Sequence, residues 1–336
     1  VVVVAMTDGG KKIDVAEIAE RFRQETQKLV QTLLPDVKPR LVGFLSSNDV
    51  ASKKYAQWTR TSCEKDGIEF ELRECPPNEL EERLEEANGD PKVHGIIIYY
   101  PCFGSTPSFF GGLMDEHLRD SIAVEKDVEG LCYTYRWNLY HNIRTLPYLN
   151  GEPSELPCLL PCTPLAIVKI LENLGVYDSS QPLGSHMKGT VVTVVNRSEI
   201  VGRPVSAMLA NDGAEVFSVD IDSIYLMKKA KMVPTDKKVQ QAVESSQVVI
   251  LGVPSKEYKL PVEWIQKGTV VINVSHFKNI DETELLKIEG VQFVERVGKV
   301  TVSMLQRNLV RLVKNFHLPS SKLEVMQTGG RLIEKK

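Results

Sequence analysis

TVVTVVNRSEIVGRPVSAMLANDGAEVFSVD, residues 190–220, decides the fold. Thr190–Val195 is an apolar, β-branched run the length of a buried strand, Val201–Asn211 has helical spacing, and Ala214–Val219 is a second apolar run. Strand, turn, helix and strand in this order form a Rossmann-like unit, where a phosphate meets backbone N–H groups and the helix dipole at the turn. The G-x-G-x-x-G fingerprint is absent and only Gly202 remains, so the turn alone is equally an ordinary connection capped by Ser198. Asp220, 24 residues after Asn196, stands near the offset of a carboxylate that accepts ribose hydroxyl hydrogen bonds. A carboxylate there repels a 2′-phosphate, which favours NAD over NADP. Two readings compete with it: Arg197 or Arg203 pairing with such a phosphate, and Asp220 as a plain solvated loop residue.

The alternation extends both ways. Towards the carboxyl end come a helical pair around 222–245, strands at Val248–Gly252, Val270–Val274 and Val291–Glu295, and an apolar last helix at Thr301–Phe316. The tail Ser320–Lys336 is polar and reads as frayed. Towards the amino end, Ile13–Leu34 repeats apolar residues at helical spacing, followed by strand Arg40–Ser46, helix Ala51–Lys65, strand Ile68–Glu74, helix Asn78–Ala87 and strand Val93–Tyr100. Both halves therefore predict α/β architecture with mostly parallel sheets covered on both faces. Between Pro101 and Pro161 the pattern loosens into a segment of the kind that carries function. A helix then runs Pro164–Leu174, with Thr163 as N-cap and Pro164 at its first position.

At 336 residues the chain is long enough for two domains. Its net charge of −3 supplies no general attraction to nucleic acid or anionic membrane, and no apolar run approaches the ~18 residues of a membrane span. The opening VVVVAMTDGG has no basic n-region, and the first arginine is Arg21, so neither a secretory signal nor a transit peptide is expected; the chain is either trimmed or starts at Met6. Six cysteines without a C-x-x-C pair signal neither zinc nor a disulfide framework and suit a reducing cytoplasm. His94, His117, His141, His186, His276 and His317 show no metal spacing and read as structural; Cys158 and Cys162 have too few partners for a metal site, although Cys162 could be reactive. No metal is expected. GSTPS (Gly104–Ser108) lacks the lysine of a P-loop and reads as a flexible lip.

Five strings in order, VASKKYAQWT (Val50–Thr59), VHGIIIYYP (Val93–Pro101), KDVEGL (Lys126–Leu131), PCTPLAIVKIL (Pro161–Leu171) and NRSEIVGRP (Asn196–Pro204), give a chain that resembles the methylenetetrahydrofolate dehydrogenase/cyclohydrolase family over about residues 13–316. The resemblance implies a folate-binding catalytic domain, 1–162, completed by 303–336 as the last helix packs back on it, and a Rossmann-like NAD-binding domain, 163–302. It also implies a folate cleft between them and a homodimer. Tyr55 matches the tyrosine that stacks on the folate rings, and Pro101 closes a strand lining the same cleft. Thr163, Asn196, Arg197, Ser198, Ile200, Asp220, Ile221, Gly252, Val253, Pro254 and Thr301 fall at the family's cofactor-binding positions. Read without the family, Tyr55 is a packing residue and Thr163 a helix cap.

The departures from the bifunctional pattern concern the remaining catalytic positions. Thr59 stands where bifunctional members carry the lysine of Y-x-x-x-K, Tyr99 replaces a glutamine, Glu129 replaces the second aspartate of KDVDG, and Val297-Gly298-Lys299-Val300-Thr301 replaces a Pro/Gly-rich stretch. A buried amine can move protons near neutrality and a threonine hydroxyl cannot. Within the family the chain most closely resembles the monofunctional, NAD-dependent fungal branch. The implied activity is oxidation of 5,10-methylenetetrahydrofolate to the methenyl form, without cyclohydrolase activity, in one-carbon supply for purine synthesis. The alternatives are a bifunctional NADP enzyme and a catalytically silent folate or nucleotide sensor.

Overall fold

The structure, a computed structural model, describes residues 9–33, 37–149 and 152–318; the tail and the first eight residues lie outside them. The chain divides into two compact units. One holds an eight-stranded sheet and comprises residues 9–21, Arg136–Leu146 and Leu160–Met304; the other holds a three-stranded sheet and comprises Phe22–Tyr135, Pro147–Leu159 and 305–318.

In the eight-stranded unit, strands Val191–Val195, Val248–Leu251 and Val270–Asn273 are buried almost throughout, as expected for parallel strands covered on both faces. Val191–Val195 is central. Glu215–Val219 pairs on one side, and Val248–Leu251, Val270–Asn273 and Gln292–Val294 follow on the other, all in parallel. The strand order therefore reverses at the carboxyl end of Val191–Val195, where open α/β sheets bind ligands. Val195, Val219, Leu251, Val271 and Phe293 form a core beneath this edge with Val243, Leu260 and Ile280.

Four sequence expectations need correction. The helical pair around 222–245 is instead an antiparallel hairpin, Ile224–Lys228 with Lys231–Pro234, followed by one short helix, Val239–Glu244. IYLMK is rich in β-favouring residues, and Lys229, at φ 43°, turns the chain tightly enough to pair the strands. Thr163 is not the N-cap of its helix: Cys162–Asn173 is capped at Pro161, which puts Pro164 third, still within the turn whose N–H groups need no helical partner. The segment from Pro101 to Pro161 contains two helices, Met114–Asp120 and Tyr133–Tyr140. Finally, Lys11–Lys12 pairs parallel with Gln292–Val294, so the amino end joins the eight-stranded sheet, and Arg136–Leu146 joins that unit too.

In the three-stranded unit, Arg40–Leu45 lies between Glu69–Glu74 and Gly95–Ile98, all parallel. Val42, Phe44, Ile96 and Ile98 pack with Leu80, Leu84 and Leu118 from helices Leu80–Gly89 and Met114–Asp120. Helix Val50–Lys65 starts where Asp49 accepts from the Ser52 N–H at 2.7 Å. The last helix, Gly298–Leu312, ends in this unit as the sequence predicts: Gln306 donates to the Ser62 hydroxyl at 3.2 Å and Asn308 to the Val128 carbonyl at 3.0 Å. Among the described residues no helix is long and apolar enough to cross a membrane.

Candidate active site

The sequence-predicted residues fall into two groups, one in each unit. In the three-stranded unit, helix Val50–Lys65 carries Tyr55 and Thr59 one turn apart, and strand Gly95–Ile98 delivers Tyr99 at its end. The Tyr55 and Tyr99 rings meet edge to face, with centroids 5.6 Å apart. Thr59 is fully buried beside the Tyr99 phenol, and its hydroxyl donates to the Tyr55 carbonyl at 2.9 Å. Burial pushes the Tyr99 phenol well above its ordinary range, and the neighbouring Thr59 hydroxyl pulls it back only in part. Pro101, exposed, follows Tyr100, whose carbonyl accepts from the Ser52 hydroxyl at 3.0 Å.

The KDVEG turn divides its work between structure and site. The Lys126 ammonium donates to the carbonyls of Ala87, Asn88 and Asp90 at 2.6–2.9 Å, closing the carboxyl end of helix Leu80–Gly89. The buried Asp127 carboxylate accepts from the N–H groups of Glu129, Gly130, Leu131 and Cys132 at 2.7–3.0 Å. Lys126 and Asp127 thereby fix the turn that presents Glu129. That carboxyl is partly accessible yet hemmed in by protein: desolvation, then the Asp127 charge, push it up to about 8, while Arg119 pulls it down.

The nucleotide group sits at the reversal of strand order. Asn196, with φ at 101°, ends the central strand and donates through its side chain to the Gly252 carbonyl at 2.8 Å, joining the two loops that flank the switch point. The Ser198 N–H donates to the Asn196 side chain at 2.6 Å, and the Ser198 hydroxyl accepts from Val201 and Gly202 N–H at 3.3 and 3.4 Å; Ser198 thus braces the turn but is not the N-cap of helix Gly202–Asn211, a position that Val201 takes without a side-chain cap. A Cβ on Gly202 would stand 1.8 Å from the Asn196 carbonyl oxygen, so only glycine closes this turn. Ile200 and Ile221 are exposed, at 38 and 94%. Val253 is fixed by Asn279, which exchanges hydrogen bonds with its N–H and carbonyl at 2.9 and 3.0 Å, and Pro254 follows.

Asp220 lies just beyond strand Glu215–Val219 in a turn where its N–H donates to the Ser223 carbonyl, and its exposed carboxylate accepts from Ile221 N–H at 2.9 Å. Both arginines that compete with the NAD reading are engaged elsewhere. Arg197 donates to Ser218 and Ser223, hydroxyl and carbonyl of each, and stacks over Tyr225. Arg203 pairs with Glu199 at 2.5 Å and lies over Tyr140. The Thr163 and Thr301 hydroxyls are not hydrogen-bonded into this group: Thr163 is in the first turn of its helix, and Thr301, buried, donates back to Val297 at 3.3 Å. A dinucleotide fits what is present, namely a glycine-closed turn at a helix start and an exposed carboxylate at the next strand end.

Sequence reading missed two supporting residues. Gly43 faces Tyr99 and Phe70; a Cβ there would come within 2.9 and 3.0 Å of their rings. An isolated glycine inside the strand RLVGFL is the available signal for such close approach. Asn279 carries no sequence signal, since its importance comes only from what surrounds it.

Two family models match the chain: the tetrahydrofolate dehydrogenase/cyclohydrolase catalytic domain over residues 13–129 and the NAD(P)-binding domain of the same family over 161–317. The chain belongs to the tetrahydrofolate dehydrogenase/cyclohydrolase family. Among its relatives, a methylenetetrahydrofolate dehydrogenase [NAD(+)] of Dictyostelium discoideum is 46% identical, covering 90% of this chain and 94% of its own. The structure of the NAD-dependent 5,10-methylenetetrahydrofolate dehydrogenase of Saccharomyces cerevisiae, 41% identical, superposes with a TM-score of 0.83 over 91% of this chain and 98% of its own. By contrast, a bifunctional protein FolD of Bacillus cereus is 28% identical, over 89% of this chain and 94% of its own. The higher identities fall on the NAD-dependent dehydrogenases.

Proposed function

We propose that this chain oxidises 5,10-methylenetetrahydrofolate to 5,10-methenyltetrahydrofolate with NAD and releases the methenyl product unhydrolysed. The observation that carries the reading is Thr59, wholly buried and already donating to Tyr55, in the place where bifunctional members of the family hold a lysine. When bound, NAD supplies the hydride acceptor at its nicotinamide ring. The oxidation needs no proton transfer from the protein, because the folate's own nitrogen lone pair stabilises the cation that develops at the bridge carbon. Tyr55 stacks on the folate ring system and Glu129 accepts hydrogen bonds from the donor edge of the pterin. Asp220 accepts the adenosine ribose hydroxyls, the Asn196–Gly202 turn holds the pyrophosphate, and the remaining cofactor positions, Thr163 and Thr301 included, line the nucleotide's path. Proximity and orientation are then the main catalytic contribution.

Purified protein given methylenetetrahydrofolate should reduce NAD far faster than NADP. No NADH formation overturns the proposal; equal use of the two nucleotides overturns the role of Asp220. A homodimer, a cytoplasmic location and a part in one-carbon supply for purine synthesis belong to the same proposal. The exposed Met232 and Val233 on the edge strand Lys231–Pro234 support the first, and six cysteines spaced without a C-x-x-C pair support the second. Light scattering and cell fractionation test them.

A further inference from the structure

Arg197 belongs to the turn that closes on Gly202, yet its guanidinium ends on a different element. Strands Glu215–Val219 and Ile224–Lys228 form an antiparallel hairpin in which Val219 faces Ile224 and Ser218 faces Tyr225, and the four residues Asp220–Ser223 connect them. The half-buried guanidinium lies across the Ser218–Tyr225 rung. Its Nε donates to the Ser218 hydroxyl at 3.0 Å, Nη1 to the Ser223 hydroxyl at 2.9 Å, and Nη2 to the carbonyls of Ser218 and Ser223 at 2.7 and 3.2 Å, while its central carbon stands 4.8 Å from the Tyr225 ring centroid. Four of the five N–H donors of a guanidinium are thereby taken. The Ser223 carbonyl also accepts from the Asp220 N–H at 2.8 Å, so one oxygen joins Arg197 to the residue that offers its carboxylate to solvent. The Asn196 N–H donates to the Val219 carbonyl at 2.9 Å. The phosphate turn and the Asp220 turn are therefore tied together twice, once through backbone and once through the Arg197 side chain.

We propose that Arg197 is a positioning residue for the adenosine ribose: from the phosphate turn it holds the Asp220–Ser223 turn, and through it the Asp220 carboxylate, at the separation that the pyrophosphate and ribose of one dinucleotide require. The inference rests on the NAD reading above and adds to it the means by which two separate loops act on one ligand, with Ser218, Ser223 and Tyr225 as parts of the device. Asp220 needs the support. It is exposed, Ile221 beside it is 94% exposed, and among the described residues its carboxylate is held only by the Ile221 N–H at 2.9 Å. A planar, rigid guanidinium suits the task because it reaches both strands of the hairpin at once, which the point charge of a lysine does not. For Arg197 to pair with a 2′-phosphate instead, its four hydrogen bonds would have to break. The contacts that position Asp220 thus also keep the guanidinium from NADP.

The test is a double-mutant cycle on the full chain, read as the dissociation constants of NAD, NADP and tetrahydrofolate by calorimetric titration. Arg197→Met should weaken NAD binding about tenfold in the wild-type background and less than about twofold in Asp220→Ser, because the strut has nothing to hold once the carboxylate is gone. Tetrahydrofolate affinity should not change. Arg197→Lys, which keeps the charge and loses the fork, should behave as Arg197→Met does. A lysine that restores NAD binding, or losses from Arg197→Met and Asp220→Ser that simply multiply, would show Arg197 acting as a bare charge on the phosphates and overturn the proposal. So would a further fall in NADP binding when Arg197→Met is added to Asp220→Ser, which puts the guanidinium on the 2′-phosphate. If Arg197→Met does not fold, Ser223→Ala takes its place: a loss of NAD affinity present with Asp220 and absent without it supports the inference, and an uncoupled loss, or none, overturns it. An Asp220→Ser variant with NAD affinity intact removes the ribose role and the inference with it, whereas a loss in Asp220→Ser with none in Arg197→Met removes the inference alone. Coupled NAD binding by a protein that forms no NADH from methylenetetrahydrofolate would sink the dehydrogenase reading while upholding the Arg197–Asp220 pair.

Discussion

The two groups of candidate site residues are built from different materials. At the nucleotide turn the backbone forms the site: Asn196 in a left-handed conformation, Gly202 where no side chain fits, and Ser198 and Asn196 turning their polar groups inward to hold the loop. The group proposed to hold folate is made of side chains, with Tyr55, Thr59 and Tyr99 packed in an aromatic corner and Glu129 presented by a turn that Asp127 pins. A backbone site tolerates changes of side chain but not of glycine. A desolvated side-chain site has the opposite sensitivity, and its chemistry is set by which groups burial leaves charged.

The largest effect expected from this contrast comes from the smallest change. Gly202→Ala puts a methyl group into the Asn196 carbonyl, so the turn must open. Overpacking of this kind costs about 1–3 kcal/mol or more, and concentrated on the phosphate-binding turn it should weaken NAD binding on the order of 100-fold. Tetrahydrofolate affinity should stay within about twofold, because Tyr55 and Glu129 belong to the other unit. Calorimetric titration with each ligand checks both halves, and an equal loss of the two would dissolve the distinction.

Next in size is Asp220→Ser, a side-chain change within the backbone-built half. A carboxylate facing a 2′-phosphate costs about 1–3 kcal/mol in repulsion and lost ribose hydrogen bonds. Removing it should therefore narrow the NAD/NADP ratio of kcat/KM by about 10–100-fold, mostly by losing NAD. Arg197 is held by Ser218 and Ser223 and Arg203 by Glu199, so neither is expected to give the variant strong NADP binding. A variant that turned over NADP as well as the wild type does NAD would show that Arg197 can leave its serines.

Smaller again is Tyr55→Ala. Aromatic stacking contributes about 0.5–1.5 kcal/mol beyond buried area, so tetrahydrofolate affinity should fall about tenfold with NAD affinity unchanged. Because the Tyr55 ring also braces Tyr99 edge to face, Tyr55→Phe, which keeps the ring, should lose almost nothing. If phenylalanine proves as damaging as alanine, the phenol and not the ring face is what the folate uses.

What was legible in the sequence follows the same division. The parallel strands of the large sheet show as continuous apolar runs, and the βαβ pattern around Val191–Val195 locates the switch point without any homologue. Residues 222–234 misled because apolar and basic residues there fit a helical spacing as well as a hairpin; Lys229, in a conformation usually left to glycine or asparagine, gives no warning of a turn. Among the folate residues, Tyr55 and Thr59 share a helix and their spacing is readable. Tyr99 meets them only through tertiary structure, and although the lone glycine in RLVGFL signals a close approach, that the Tyr99 ring is what fills it is visible only once the sheet is formed.

The smallest expected effect is none. Hydrolysis of the methenyl bridge needs a water activated and a ring nitrogen reprotonated, which calls for a group that exchanges protons near neutral pH. Thr59 cannot serve, and burial drives the Tyr99 phenol far out of that range. Glu129, pushed up to about 8, is the one group of these three with a suitable value, but a single carboxyl, which the proposed function also assigns to the pterin, cannot cover both steps. Added enzyme should therefore leave the decay of methenyltetrahydrofolate, followed by its absorbance, at the uncatalysed rate. Acceleration in proportion to enzyme would break the argument, and its loss in Glu129→Gln would name the residue responsible. Thr59→Lys should not create the activity either. The glutamine and aspartate that accompany the lysine in bifunctional relatives are Tyr99 and Glu129 here, and an ammonium in this fully buried position would repel the cationic product.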